Sequence, residues 1–144
     1  MNQELNSITE AIIGAGIEVH RALGLGLLES AYEACLAHEL TLRGVQFERQ
    51  RPLPVLYRGV QLDCGYRLDL VVEIQIIVEL KTVDKLHPVH EAQLLSYLRL
   101  ARVRVGLIMN FHVKVLKDGI KRMIVDPIYF FLCALCVLCG SICL

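Results

Sequence analysis

Tyr66-Arg67-Leu68-Asp69-Leu70-Val71-Val72, a break at Glu73-Ile74-Gln75, and then Ile76-Ile77-Val78-Glu79-Leu80-Lys81 is the stretch that decides the fold. Both runs are short and apolar, and the turn between them makes them a strand pair. Downstream, Pro88 suits the first turn of a helix running to about Ala101, with Leu94, Leu95 and Leu98 inward. Val103 to Asn110 then reads as a buried strand. Upstream, Ser7-Ile8-Thr9-Glu10 has the form of a capping box and opens a helix ending near Leu23, where Gly24-Leu25-Gly26 breaks it. A second helix starts near Leu28, carries Tyr32, Cys35, Leu36 and Leu40 on one stripe, and ends at Arg43 with Gly44 as its left-handed stop. After Gly44 the apolar period drops to two. Val45–Arg49 reads as a half-buried strand, and Leu53–Tyr57 and Val60–Asp63 flank a hairpin turn at Arg58-Gly59. Val113–Leu116 and Ile120–Val125 flank a further turn at Lys117-Asp118-Gly119. The resulting order, ααβββββαβββ, places the chain in the α/β or α+β class with a mixed sheet.

At 144 residues and 16.2 kDa the chain has the size of one domain. It is 55% hydrophobic and 21% charged, with a mean hydropathy of +0.51, which excludes a disordered protein. Net charge is zero, from 15 basic and 15 acidic residues, so no global basic field announces nucleic acid. The zero conceals an asymmetry. Residues 1–42 carry six acids against Arg21 alone, and the remainder carries 14 bases against nine acids. The opening residues lack the basic region of a secretory signal, and the expected location is cytoplasmic. Cys35 and Cys64 are solitary while four cysteines crowd the end, which is not the layout of an extracellular disulfide scaffold.

The chemistry-bearing groups lie in the deciding stretch. If its two runs pair, Asp69 can sit opposite Glu79, and side-chain alternation puts Glu79 and Lys81 on one face with Leu80 on the other. Two neighbouring carboxylates repel unless a cation joins them, and a hard divalent ion takes such oxygens together with water and phosphate. A lysine alongside can orient or help deprotonate a water. The ordinary alternative is a cross-strand salt bridge. Three further features weigh against that alternative. Glu29 stands in the first turn of a helix behind Gly26, where helix-dipole stabilisation is its plain explanation. Gln93 and Tyr97 lie four apart on one face of the later helix, where a polar edge is theirs. The third feature is the order itself: helix acid, strand acid, strand Glu-x-Lys, helix Gln-x-x-x-Tyr.

On Gly26-x-x-Glu29-x-x-Tyr32, Gly65-Tyr66-Arg67-Leu68-Asp69, Val78-Glu79-Leu80-Lys81 and Pro88 to Tyr97, the chain resembles the PD-(D/E)XK nuclease superfamily, and within it the small bacterial GxxExxY proteins. The resemblance implies a restriction-endonuclease-like core, a central mixed β-sheet flanked by helices, over a nuclease-like domain at residues 1–127. It implies metal-dependent phosphodiester hydrolysis in nucleic acid, DNA foremost. By the same resemblance Asp69 and Glu79 ligate Mg²⁺ or Mn²⁺, the Leu80 carbonyl joins them, and Glu29 binds directly or through water. Lys81 positions the attacking water and stabilises the developing charge, and Gln93 and Tyr97 line the site or touch the phosphate. A module of the same fold that binds metal or nucleic acid without cleaving is the first alternative.

Arg99, Arg102, Arg104, Lys114, Lys117, Lys121 and Arg122 follow the motif region and could neutralise phosphates, with a solvated face as the equal alternative. No helix-turn-helix or zinc-finger spacing is present. Gly24-x-Gly26 is not a phosphate loop, because Glu29 replaces the third glycine and no strand precedes it. His87-Pro88-Val89-His90 lacks the helical spacing of a zinc pair and suits a cap or a surface role. Residues 128–144 form an atypical, uncharged, cysteine-rich tail. As a helix it would span about 26 Å, short of the roughly 30 Å bilayer core. Cys133, Cys136, Cys139 and Cys143 have the spacing of a ferredoxin half-motif. Against an iron–sulfur cluster there, a helix would set all four on one face and no proline follows Cys143. An adventitious or packing tail is favoured over membrane contact through 128–144, and the sequence leaves a homodimer open.

Overall fold

The structure is a computed structural model that describes residues 3–128 and 130. Its elements in chain order are α1 (Gln3–Leu23), α2 (Glu29–Leu42), β1 (Phe47–Pro52), β2 (Val55–Tyr57), β3 (Val60–Leu62), β4 (Arg67–Val72), β5 (Ile76–Lys81), α3 (Pro88–Ala101), β6 (Val105–Asn110) and β7 (Ile120–Ile124), with a 3-10 turn at Leu116–Gly119. Five strands form a mixed sheet in the order β1-β4-β5-β6-β7, and β2 and β3 form a separate hairpin. Among the described residues only β5 and β6 run parallel, joined through α3, and the other pairings are antiparallel.

Two cores separate the layers. On one face Ile12, Tyr32, Leu36 and Leu40 of α1 and α2 pack with Val78, Leu80, Leu107 and Met109. On the other, Leu94 and Leu98 of α3 pack with Val71, Ile77 and Ile108. Strands β5 and β6 are covered on both sides, which explains why both read as continuous apolar runs rather than alternating ones. The expected helix-flanked mixed sheet is the observed architecture.

Three local expectations need correction. The Ser7 capping box does not start α1, which begins a turn earlier at Gln3. Leu5 is buried in the core, and the Thr9 hydroxyl donates back to the Leu5 carbonyl at 2.7 Å, so this turn is needed for packing. The strand expected at Val113–Leu116 is absent. The Val113 carbonyl meets the His20 ring at 2.8 Å, and buried Leu116 enters the α1-side core, so both leave the period-two pattern. Lys117-Asp118-Gly119 accordingly lies in the 3-10 turn, closed by Asp118 N–H on the Val115 carbonyl, and not in a hairpin. Strand β1 lies two to three residues further along than Val45–Arg49. The hairpin at Arg58-Gly59 and the turn at Glu73-Ile74-Gln75 form where expected, the latter with Glu73 and Ile74 both left-handed.

The tail expectations lie largely outside the described residues. Ile128 is exposed and Phe130 packs against the α3-side core, while the four tail cysteines are among the residues not described. Among the described residues no helix is long and apolar enough to cross a membrane.

Candidate active site

The C-terminal end of β5 is where the chemistry-bearing side chains meet. The β4–β5 register runs Leu70 against Val78, and one step further Asp69 falls level with Glu79. There Asp69 Oδ2 accepts the Leu80 N–H at 2.9 Å, while the Leu80 side chain is fully buried in the α1/α2-side core. Strict alternation would put Leu68 and Leu70 on one face of β4, yet Leu68 packs in the α3-side core and Leu70 in the other. The strand therefore turns over at Asp69. Across the ladder Gln50, between the paired Arg49 and Arg51, takes φ +50°, a left-handed conformation that costs a non-glycine residue energy.

Helix α2 brings carboxylates from one side. Its N-cap, Leu28, offers no side-chain cap, and Glu29 occupies the first turn. The loop before it is held by Tyr32, fully buried and stacked on Phe111 at 4.5 Å. The Tyr32 hydroxyl donates to the Gly24 carbonyl at 2.7 Å and accepts the Leu27 N–H at 3.2 Å. Gly24 and Gly26 supply the positive φ values of +69° and +106° that this loop requires. In the Gly-x-x-Glu-x-x-Tyr string the tyrosine thus bolts down the loop from which the glutamate helix springs.

One turn on, Glu33 is buried and was not singled out in the sequence, although its four-residue spacing from Glu29 was visible there. It accepts Arg49 Nε at 3.0 Å and Gln50 Nε2 at 2.6 Å. The Gln50 amide also reaches Asp69 Oδ1 at 3.4 Å, so it bridges two carboxylates.

From the other side α3 contributes Gln93 and Tyr97. Lys81 Nζ donates to Gln93 Oε1 at 3.5 Å, and Gln93 Nε2 donates to Tyr97 Oη at 2.8 Å. Tyr66, just ahead of β4, places its ring 5.8 Å from that of Tyr97. Lys81, Gln93, Tyr97 and Tyr66 all line a cleft of about 780 Å³.

The electrostatics are those of crowded, poorly hydrated acids. Burial pushes Glu79 up to about 8, the Asp69 charge adds to the rise, and Lys81 and the Asp69 backbone N–H oppose it. Asp69 is raised by burial and by Glu33, against the Leu80 N–H, Lys81 and Gln50. Glu29 is raised by burial and by Asp69 and Glu33, with Lys81 opposing. Burial also raises the Tyr97 phenol. Glu79 Oε1 is buried with no hydrogen-bond partner. Such an orphaned carboxylate oxygen beside a second carboxylate is the donor chemistry a hard divalent cation takes. Among the described residues no three His, Cys, Asp or Glu side chains form a ready metal cage. Of the charges acting on Glu79, Asp69 is the strongest and Glu29 the weakest.

The remaining candidates fall elsewhere. Lys121 pairs with Glu91, and Arg122 donates through both terminal nitrogens to Asn6 Oδ1 at 3.1 Å, so these two serve the scaffold. His90 Nδ1 accepts the His87 N–H at 3.0 Å, closing the first turn of α3 as a cap.

Comparison with curated proteins and with solved structures finds no significant match. Comparison with protein families matches residues 6–123 to the PD-(D/E)XK nuclease superfamily. That span contains every side chain described around Asp69, Glu79 and Lys81, and it covers most of the chain: the protein belongs to the PD-(D/E)XK nuclease superfamily.

Proposed function

We propose that the protein hydrolyses phosphodiester bonds in DNA with the help of a divalent cation, and that within the superfamily it is one of the GxxExxY proteins, on Gly26, Glu29 and Tyr32. The observation that carries the hydrolytic reading is the meeting of Asp69, Lys81 and the unpartnered Glu79 Oε1 at the end of β5. Asp69 and Glu79 would hold Mg²⁺ or Mn²⁺, with the Leu80 carbonyl and Glu29 adding oxygen. The cation supplies Lewis-acid charge beside the phosphate.

The chain's own groups do the rest. Lys81 holds the attacking water and faces the charge that grows on the phosphoryl oxygens. Gln93 fixes the ammonium through Oε1 and is itself fixed by Tyr97, so the lysine reaches the water from one direction. Water adds to phosphorus and gives up a proton to solvent, the ester P–O bond breaks, and the leaving oxygen takes a proton from solvent.

Lys81→Ala tests this. Cleavage of a plasmid or oligonucleotide falls by at least about 100-fold, while Mn²⁺ binding by calorimetry and DNA binding by gel shift persist. If the wild-type chain leaves single-stranded DNA, duplex DNA and RNA intact in Mg²⁺ and in Mn²⁺, the hydrolytic reading falls. A binding module of the same fold then takes its place.

A further inference from the structure

The cleft next to Lys81 has a shape and lining that the chemistry of phosphate transfer does not call for. Phosphate contact draws on cations, N–H donors and hydroxyls, and gains nothing from apolar walls or aromatic faces. Of the cleft's lining residues only Lys81 carries a permanent charge, and its walls are built from Val55, Val89 and the rings of Tyr66 and Tyr97. Its volume of about 780 Å³ lies within the roughly 300–1,000 Å³ of pockets that take small organic ligands.

Tyr66 is the residue to explain. It is 45% exposed, although its ring lies against the buried ring of Tyr97. Its backbone is fixed, because Leu53 N–H donates to the Tyr66 carbonyl at 2.9 Å. The Tyr97 ring beside it is also fixed, through its hydroxyl to Gln93. The two rings are tilted by 57°, so they do not stack on each other and Tyr66 keeps a face for something else.

We infer that this cleft receives an unpaired nucleobase, stacked on Tyr66, from the strand whose phosphate lies at Lys81, and that the substrate is therefore single-stranded or locally unpaired nucleic acid. The inference rests on the phosphodiester reading of the neighbouring carboxylates. Lys81 acts on the carboxylates and also lines the cleft, where Gln93 holds its ammonium, so a chain with its phosphate at the carboxylates has its adjoining base at the cleft. A base in a duplex is stacked and paired on both sides and presents only its edges. It reaches a recessed aromatic face only after leaving the stack, and stacking on an aromatic side chain accepts any base.

The test uses short oligonucleotides carrying 2-aminopurine at one position after another, mixed with the full chain in Ca²⁺, together with an RNA version of the same sequence. Fluorescence is expected to be quenched at one position or two adjacent ones. The quench should vanish in Tyr66→Ala, with affinity lower by roughly 5- to 150-fold, and remain in Tyr66→Phe. Annealing the complement should abolish it. A wild-type series with an abasic site walked along the strand should show weakened binding at the same position, which reads the cleft without any variant. Quenching of the DNA and not the RNA, or of both, sets which sugar the cleft tolerates, and either supports the proposal. Equal affinity for duplex and single strand, or a quench indifferent to Tyr66→Ala, overturns it. Cleavage in Mg²⁺ without quenching at any position also overturns it and leaves the hydrolytic reading standing. Quenching without cleavage supports the cleft and sinks that reading instead.

Discussion

Gln50 concentrates the tension of the site in one residue. Its backbone is left-handed in the middle of a strand ladder, and its amide joins Glu33 to Asp69. If the conformation is kept for the sake of that bridge, two substitutions separate backbone from side chain. Gln50→Gly relieves the strain and Gln50→Ala does not, so the glycine variant should be the more stable by about 1 kcal/mol in chemical denaturation. Both lose the bridge, and both should cleave more slowly than wild type. A glycine variant with full activity would leave the amide without a part in the chemistry. The sequence set Glu79 and Lys81 on one face because β5 obeys strand alternation, with Leu80 in the opposite core. It hid Gln50 and the turning-over of β4 because both break that rule. Glu33 was legible as a four-residue echo of Glu29, but only burial distinguishes it from a surface acid.

At the scale of elements, the loop between α1 and α2 depends on one hydroxyl. Tyr32→Phe keeps the ring stacked on Phe111 and removes both hydrogen bonds to the loop. Thermal or urea unfolding should show a loss of about 1–2 kcal/mol. Because Glu29 starts at the far side of that loop, the affinity for Mn²⁺ should fall as well; calorimetry on the same variant reads it. Helices α2 and α3 and the hairpin at Arg58-Gly59 were readable to within a residue or two, since glycine, proline and apolar spacing mark their ends locally. The segment at Val113–Leu116 was not. Its alternation is genuine, but the Val113 carbonyl meets His20, 93 positions away in the chain, and no local pattern reveals such a partner. The overall layering was legible because β5 and β6 advertise burial on both faces.

For the whole molecule, the acid cluster couples folding to pH and to metal. Glu79 moves from an ordinary 4.5 to about 8, and Glu29 and Asp69 are raised as well. Between those two values the folded chain keeps a proton that the unfolded chain gives up. The metal-free protein therefore loses stability as pH rises through this window and recovers it as pH falls toward 4.5. A tenfold difference in proton affinity between folded and unfolded chain is worth about 1.4 kcal/mol, so Glu79 alone brings a loss on the order of 5 kcal/mol over the window. Melting temperatures from pH 5 to 8 in EDTA should fall along that slope. Glu79→Gln should flatten it, and Mg²⁺ or Mn²⁺ should raise the melting temperature most at the alkaline end. A flat profile in EDTA would show the acids to be better solvated than their burial implies.

The parallel pairing of β5 with β6 has a consequence for synthesis on the ribosome. Every residue of Ile76–Val78 and Leu80 is fully buried in the finished sheet, yet the strand that covers one edge of β5 starts only at Val105. For the time it takes to translate the intervening helix, a greasy ribbon with an open row of amides and carbonyls is left uncovered. Chains truncated near residue 100 and released from the ribosome should therefore clump or recruit chaperones, whereas those running beyond β7 should not, and pelleting of the released translation products would distinguish the two.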